Sequence, residues 1–170
     1  MAPQLQLEVI AAPFQTATAP ATSLASVVDH LKQILADTYV LMVKTHGAHC
    51  NVRGPDFFGM HAAFEAQFQA LFLATDELAE RIRALDEDMP ASMARMSAMS
   101  AIGDTDHVSA DALAGTLRDD HRAISRYCQL AIAVALDAHD EPTADLLIKR
   151  ILAHDQSAWM LGAVAGSQSK

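Results

Sequence analysis

The stretch that decides the fold runs from Lys44 to Leu85, KTHGAHCNVRGPDFFGMHAAFEAQFQALFLATDELAERIRAL. It carries two pairs of potential metal ligands at i, i+4 spacing, His61 with Glu65 and Asp76 with Glu80. An α-helix turns about 100° per residue, so these four side chains fall within about 100° of one another. The second half of the stretch is therefore predicted to be a helix with one face that bears ligands.

The two pairs are too far apart to bind the same ion within one chain. Their midpoints, positions 63 and 78, are about 22 Å apart along a helix. An antiparallel copy of the helix, related by a two-fold axis, would place His61 and Glu65 of one chain against Asp76 and Glu80 of the other. The spacing thus predicts two identical sites per dimer, each shared between chains.

Composition favours one all-α domain. The chain has 170 residues, few aromatic residues (5%) and abundant Ala, Leu and Met, which suits helix packing. The net charge of −9 favours cations and disfavours nucleic acid as a partner, although a local basic patch could override that balance. Cys50 and Cys128 are too few for a disulfide framework, and they fit a reducing cytoplasm.

Residues 1–22 are rich in Pro, Ala and Thr and have no helical period, so we expect a flexible N-terminal arm. They lack the features of a secretory signal, and no segment of the chain is apolar for long enough to span a membrane. Residues 1–31 contain no Lys or Arg, and the first basic residue is Lys32.

Capping residues and apolar stripes predict four long helices, and residues 86–108 form a long central crossover that carries a short helix. This pattern is typical of a ferritin-like four-helix bundle over residues 23–162, followed by a short C-terminal tail at 163–170. The predicted bounds are Ser23 (N-cap) to His49, Asp56 (N-cap) to Leu85, Ala91 to Ala101 for the short helix, Ser109 (N-cap) to Ala138, and Pro142 (first turn) to Gly162.

A di-iron site inside one such bundle needs Glu-x-x-His on two helices. No Glu-x-x-His occurs in this sequence, and neither His121 nor His154 has a Glu three residues before it. A site inside the monomer is therefore disfavoured, which favours the site shared between chains.

A set of short motifs extends over the whole chain except the N-terminal arm. The set consists of Lys44-Thr45-His46, His49, Asn51-Val52, Gly54, Phe57 or Phe58, His61, Phe64-Glu65, Asp76, Ala79-Glu80-Arg81, Thr143 to Leu147, and Trp159-Met160-Leu161. Each piece is weak alone, but the combination is specific. Together these residues resemble the signature of the Dps miniferritins.

The resemblance implies a hollow dodecamer, built on two-fold dimers, that oxidises Fe(II) and stores the ferric mineral in its cavity. Hydrogen peroxide is the preferred oxidant in this family and dioxygen is the alternative; haem is not required. Each ferroxidase centre, with at most two irons, lies at a two-fold interface. The implied ligands are His49, His61 and Glu65 from one chain with Asp76 and Glu80 from its partner.

The ligand types suit this chemistry. His49 and His61 lie six residues either side of Pro55, so a helical hairpin that turns there can bring them together. Imidazole and carboxylate ligands suit iron, and a carboxylate can bridge two metals. We expect His49 and His61 to be terminal nitrogen ligands and Glu65, where the family often has Asp, to be the bridge.

Two positions depart from the family pattern. Cys50 follows the first ligand histidine, where the family usually has Trp, and Gly162 stands where Arg is common. Cys50 is expected to be a small buried hydrophobe, with an oxidisable group beside iron or an extra ligand as alternatives. Trp159 is expected to pack against other side chains.

A second acidic cluster surrounds the turn between the third and fourth long helices. In the family this region lines a three-fold pore that admits iron, and a ring of carboxylates would concentrate cations there. Alternatively, the acids stabilise the N-terminus of the last helix. The cluster consists of Asp137, Asp140, Glu141 and Asp145.

Two functions remain after this reasoning: an iron-oxidising storage enzyme, and a nucleoid protein that compacts DNA. DNA binding by such proteins commonly uses a Lys-rich terminus that contacts phosphates. Because residues 1–31 lack Lys and Arg, we expect little direct DNA binding. The predicted location is the cytoplasm, with association to the nucleoid as the alternative.

Overall fold

The computed structural model describes residues 21–103 and 110–167, with side chains described for 24–103 and 112–165. Every regular element in these ranges is an α-helix, and four long helices and one short helix reproduce the predicted all-α bundle. None of the helices in the described ranges is both long enough and apolar enough to cross a membrane. The helices are α1 (Ala21–Asn51), α2 (Phe57–Ala84), α3 (Met93–Met99), α4 (Ala110–Asp137) and α5 (Glu141–Ser167).

Several predicted helix ends differ from the structure. Helix α3 is two residues shorter at each end than predicted, and Asp56 precedes α2 without a side-chain capping hydrogen bond. Helix α1 begins at Ala21, so Ser23 lies inside the helix and is not its cap. Helix α5 continues to Ser167, so most of the predicted tail is helical. Gly162 does not end α5 because the good helix formers Leu161, Ala163 and Ala165 surround it, and a single glycine costs a helix only about 1 kcal/mol. The expected arm at 1–20 and the expected cap Ser109 lie outside the described residues.

The four long helices form two antiparallel hairpins, α1 with α2 and α4 with α5. An ion pair of 3.0 Å between Lys32 Nζ and Glu87 Oε2 joins the start of α1 to the residues after α2. Helix α1 also packs against α4, where His30 Nδ1 lies 2.8 Å from Tyr127 Oη. The long crossover makes α2 and α4 parallel, which is the ferritin-type connection.

The predicted apolar stripe of α2 faces the bundle core. Its buried members include Phe64, Leu71, Leu78 and Ile82. They pack against a buried stripe of α1, and removal of this apolar surface from water is the main source of stability. The ligand-bearing face of α2 lies beside this stripe and stays outside the monomer core.

The crossover between α2 and α4 is fastened to α1 by two polar side chains. The buried carboxylate of Asp37 accepts hydrogen bonds from the Ala101 amide (2.7 Å) and the Ser100 hydroxyl (2.9 Å). The Lys44 ammonium donates to the Gly103 carbonyl at 3.0 Å and forms an ion pair with Asp120 of α4. Lys44, a residue of the family pattern, therefore joins three parts of the fold.

Candidate metal centre

His49 and His61 meet where α1 turns into α2. His49 Nδ1 lies 3.0 Å from the His61 carbonyl oxygen, and His61 Nδ1 lies 2.9 Å from the His49 carbonyl oxygen. The two rings are stacked with centroids 3.8 Å apart. The left-handed backbone at Gly54, with φ of 108°, helps to form the tight turn that brings these residues together.

These reciprocal contacts select the tautomer of both histidines. A carbonyl oxygen only accepts hydrogen bonds, so both Nδ1 atoms must donate. In a neutral imidazole the lone pair then lies on Nε2, the atom left to bind a metal. Metal-binding histidines commonly donate their other ring N–H to a carbonyl in this way. Within this one chain the pair is therefore prepared to supply two nitrogen ligands.

Aromatic side chains flank the histidine pair. Phe57 stacks on His61 with a centroid distance of 5.1 Å, and Phe68 lies 5.8 Å from His49. The ring of the exposed His46 lies tilted against Phe68, with a centroid distance of 4.7 Å. Phenyl rings on both sides restrict the rotation of the imidazoles and lower the polarity around them. Their positions on the flank of α2 follow from the sequence, but the sequence alone did not reveal this stacking.

The carboxylates of the pattern remain exposed on α2. Gln69 Nε2 lies 3.4 Å from Glu65 Oε1, while Asp76 and Glu80 lie further along the same helix. Among the described residues, no group of three or more His, Cys, Asp or Glu side chains is arranged to hold a metal. One chain therefore brings the two histidines together but leaves the acidic pair of Asp76 and Glu80 apart from them.

An exposed phenyl ring lies between the two halves of the pattern. Phe72 is 60% exposed and lies about 20° from His61 around the helix, on the ligand-bearing face. Phe72 and Gln69 are placed symmetrically about the midpoint of the four predicted ligands, between residues 70 and 71. An apolar side chain of this size on a polar face is typical of a surface that another protein covers.

The acidic cluster near α5 divides into two kinds of residue. Asp140 is buried and caps α5: it accepts the Thr143 amide at 3.1 Å and binds the Arg81 guanidinium. Asp140 is thus not placed to line a pore, and its carboxylate is needed inside the subunit. Asp137, Glu141 and Asp145 are exposed, and Asp145 forms an ion pair of 3.1 Å with Lys149.

The expectation for Cys50 is wrong for the single chain. Cys50 is exposed and not buried, since it follows His49 on the outer side of the last turn of α1. Trp159 is 71% exposed in the single chain, so the packing expected of it needs another subunit. Both side chains lie where another subunit could cover them.

Sequence reasoning gave no role to several polar residues inside the bundle. Arg81 donates to Thr143 Oγ1 at 2.8 Å as well as to Asp140, so it joins α2 to the start of α5. His121 and His154 form a buried pair with 2.9 Å between their Nδ1 atoms. Burial lowers the pKa of His121 to about 4, and burial, followed by the charges of His121 and then Arg150, lowers the pKa of His154 to about 3.

Comparison with known proteins gives a consistent result. The profile of the family described as ferritin-like domain matches residues 28–168. A relative named DNA protection during starvation protein 2, from Bacillus anthracis, is 30% identical over 81% of this chain and 94% of its own length. The solved structure of a Dps protein from Bacillus brevis is 30% identical, with a TM-score of 0.81 over 84% of this chain and 97% of that one.

A Dps structure from Vibrio cholerae O1 is 29% identical, with a TM-score of 0.79 over 84% of this chain and 90% of that chain. Its description places that protein in a broad superfamily of ferritin-like diiron-carboxylate proteins. The helical bundle with its crossover is thus a ferritin-like fold. Within that class, the chain belongs to the Dps family of miniferritins.

Proposed function

We propose that this protein is a ferroxidase and iron-storage miniferritin that oxidises Fe(II) at centres shared between two subunits. The observation that carries the proposal is the histidine pair, in which both Nδ1 atoms donate to carbonyls and both Nε2 atoms are left to bind metal. His49 and His61 are the nitrogen ligands, and Glu65 is the bridging carboxylate. Asp76 and Glu80 of the partner subunit complete each centre.

The placement of side chains along α2 supports the shared centre. The symmetric placement of Phe72 and Gln69 about the midpoint of the ligand pattern suits a two-fold axis there. An antiparallel partner would bury the exposed phenyl ring and bring its acids towards the histidines. Carboxylates that become buried need a compensating charge, and bound cations provide it.

Fe(II) is the substrate of this centre. Two ferrous ions lose one electron each, and the electron pair cleaves the O–O bond of one hydrogen peroxide, whose oxygens leave as water after taking up protons. Because both electrons go to the same peroxide, hydroxyl radical is not released. Dioxygen is the alternative oxidant. The protein's residues hold the ions together and supply negative charge that favours Fe(III).

The proposed assembly is a dodecamer built on these dimers, with ferric mineral stored in the central cavity and the cytoplasm as the location. The exposed acids Asp137, Glu141 and Asp145 are proposed to attract Fe(II) to an entry pore. Asp140 supports that region indirectly, since it fixes the start of α5. The bundle is proposed to form the single folded domain.

Protection of DNA by direct binding is the second candidate, because the relative from Bacillus anthracis is named for DNA protection. The net charge of −9 and the absence of Lys and Arg from residues 1–31 oppose it. Removal of Fe(II) and peroxide would protect DNA without contact.

The test is the replacement of His61 and Glu65 by alanine, followed by anaerobic Fe(II) titration and addition of peroxide. We expect Fe(II) binding at the centre and rapid peroxide-dependent oxidation to be lost while the assembly mass is unchanged. Gln129→Ala is the control, since Gln129 is exposed on α4 and belongs neither to the proposed ligands nor to the proposed entry pore. Unchanged oxidation and iron loading in the double variant would exclude the proposed centre.

A further inference from the structure

A small polar cavity of about 30 Å³ lies between α2, α4 and α5, away from the histidine pair of the metal centre. Its polar lining consists of Gln67 of α2, His121 of α4, and Arg150, His154 and Ser157 of α5. Ala70, which is exposed, lines its outer part and gives it a route to solvent. Nothing in the proposed iron chemistry uses this cavity.

Three polar atoms of the lining residues are buried without a hydrogen-bond partner among the described residues. They are Gln67 Oε1, His121 Nε2 and Arg150 Nε. Gln67 and His121 are only 8% and 2% exposed. Buried polar atoms in folded proteins are nearly always paired with protein or with ordered water. Three such atoms around one cavity therefore indicate a missing common partner.

The chemistry of these atoms selects the partner. Gln67 Oε1 can only accept a hydrogen bond, and Arg150 Nε can only donate one. An anion could satisfy the arginine but has no proton for the glutamine oxygen. A cation could bind the glutamine oxygen but would be repelled by the arginine. The occupant must donate and accept, and a cavity of this volume has room for a single water and at most two.

His121 suits the same occupant. Its Nδ1 shares one proton with His154 Nδ1 across 2.9 Å, so His121 Nε2 is a donor in one tautomer and an acceptor in the other. Water can pair with either form. Arg150 is held in place by Glu77 of α2, with 3.5 Å between Nη2 and Oε2. His121 and Arg150, which bound the cavity, are thus each held by a second contact.

We propose that this cavity is a hydration site whose ordered water donates to Gln67 Oε1, accepts from Arg150 Nε and has His121 Nε2 as its third partner. The water joins α2, α4 and α5 in the middle of the bundle. It thereby replaces part of the packing that an apolar core would supply at this place. Its role is structural, so the site and the ferroxidase centre are tested by different measurements.

The first test is a high-resolution crystal structure of the native assembly, with a second crystal soaked in bromide. We expect one water within hydrogen-bond distance of Gln67 Oε1 and Arg150 Nε, and no anomalous bromide signal in the cavity. An empty cavity overturns the proposal. Bromide in the cavity also overturns it, since the site would then bind anions.

The second test compares Gln67→Met with Gln129→Met, because Gln129 is exposed on α4. Methionine has a similar shape but lacks the accepting oxygen. Loss of one partner of a bound water should raise the unfolding equilibrium constant about fivefold, whereas Gln129→Met should change it little. In a dry cavity the same substitution would remove an unpaired buried acceptor, so a more stable Gln67→Met variant contradicts the proposal. The crystal structures decide the case independently if Gln67→Met does not fold.

Discussion

At the scale of single residues, the two histidine pairs have different roles. His49 and His61 keep their Nε2 atoms available by donating from Nδ1, whereas His121 and His154 face each other inside the core. The difference follows from the backbone that each ring meets. At the α1–α2 turn, carbonyl oxygens fall within reach of both rings, while in the middle of the bundle the helical carbonyls are already used.

The buried histidine pair makes stability depend on pH. Burial holds the pKa values of His121 and His154 near 4 and 3, below the ordinary value of 6.5, so the unfolded chain takes up protons first as pH falls. Stability is retained above pH 6.5 and decreases as pH drops towards about 4. Each proton that only the unfolded chain binds lowers the free energy of unfolding by about 1.4 kcal/mol per pH unit.

Denaturant titrations between pH 7.5 and 4.5 would measure this dependence. The double variant His121→Leu/His154→Leu should show a flatter profile than the native protein, while His139→Asn should keep the native slope. The same slope in all three proteins would show that the pair is not the source.

Some residue contacts can be predicted from the sequence and others cannot. The placement of His49 and His61 about Pro55 is enough to predict that they meet. The exposure of Cys50 and the capping role of Asp140 could not be predicted, since both depend on which side of a helix end faces the bundle. Asp140 was expected to line a pore with its acidic neighbours, but it is buried. A run of acidic residues does not by itself show which of them is buried.

At the scale of elements, the crossover depends on Asp37. Its Oδ1 accepts from Ala101 N, Ser100 Oγ and, at 3.2 Å, Gln33 Nε2. Asp37→Ala should destabilise the protein by about 1–3 kcal/mol, because three partly buried donors lose their acceptor. Asp37→Asn should cost less, since the amide oxygen can still accept these bonds.

Limited proteolysis and denaturant titration would test the role of Asp37. We expect faster cleavage within residues 86–103 in Asp37→Ala than in Asp37→Asn. Equal cleavage in both variants and the native protein would show that Asp37 does not fasten the crossover.

Helix bodies were predictable because apolar stripes of period 3.6 identify them. The ends of the helices were harder to predict. Helices α2 and α4 end with left-handed residues, Asp86 (φ 61°) and His139 (φ 54°), where glycine is usual. Backbone hydrogen bonds stabilise these turns, for example the bond from Asp140 N to Ala135 O at 2.8 Å. No sequence pattern predicts these bonds.

At the scale of the whole molecule, exposed apolar side chains require a partner surface. Phe58 and Trp159 are 85% and 71% exposed, and Phe72 lies between the halves of the ligand pattern. Isolated exposed residues are ordinary, but several large ones on one small subunit favour an oligomer. The sequence predicted that the metal site needs two chains; the larger assembly could be inferred only from the family resemblance.

Net charge leads to a prediction about DNA. The chain carries −9, so the assembly should repel phosphates, and purified protein should give little or no gel shift of duplex DNA near neutral pH. An added N-terminal segment rich in Lys should create binding that weakens with salt. A robust, salt-sensitive shift by the unmodified assembly would contradict this expectation.

The most direct test of the central claim is complementation between two inactive variants. One chain carries His61→Ala and Glu65→Ala, and the other carries Asp76→Ala and Glu80→Ala. In a mixed dimer with shared centres, one centre loses both halves and the other remains intact. Random co-assembly should therefore restore about a quarter of native peroxide-dependent Fe(II) oxidation, although each variant alone is inactive. Co-assembled protein that stays inactive would contradict a centre shared between subunits.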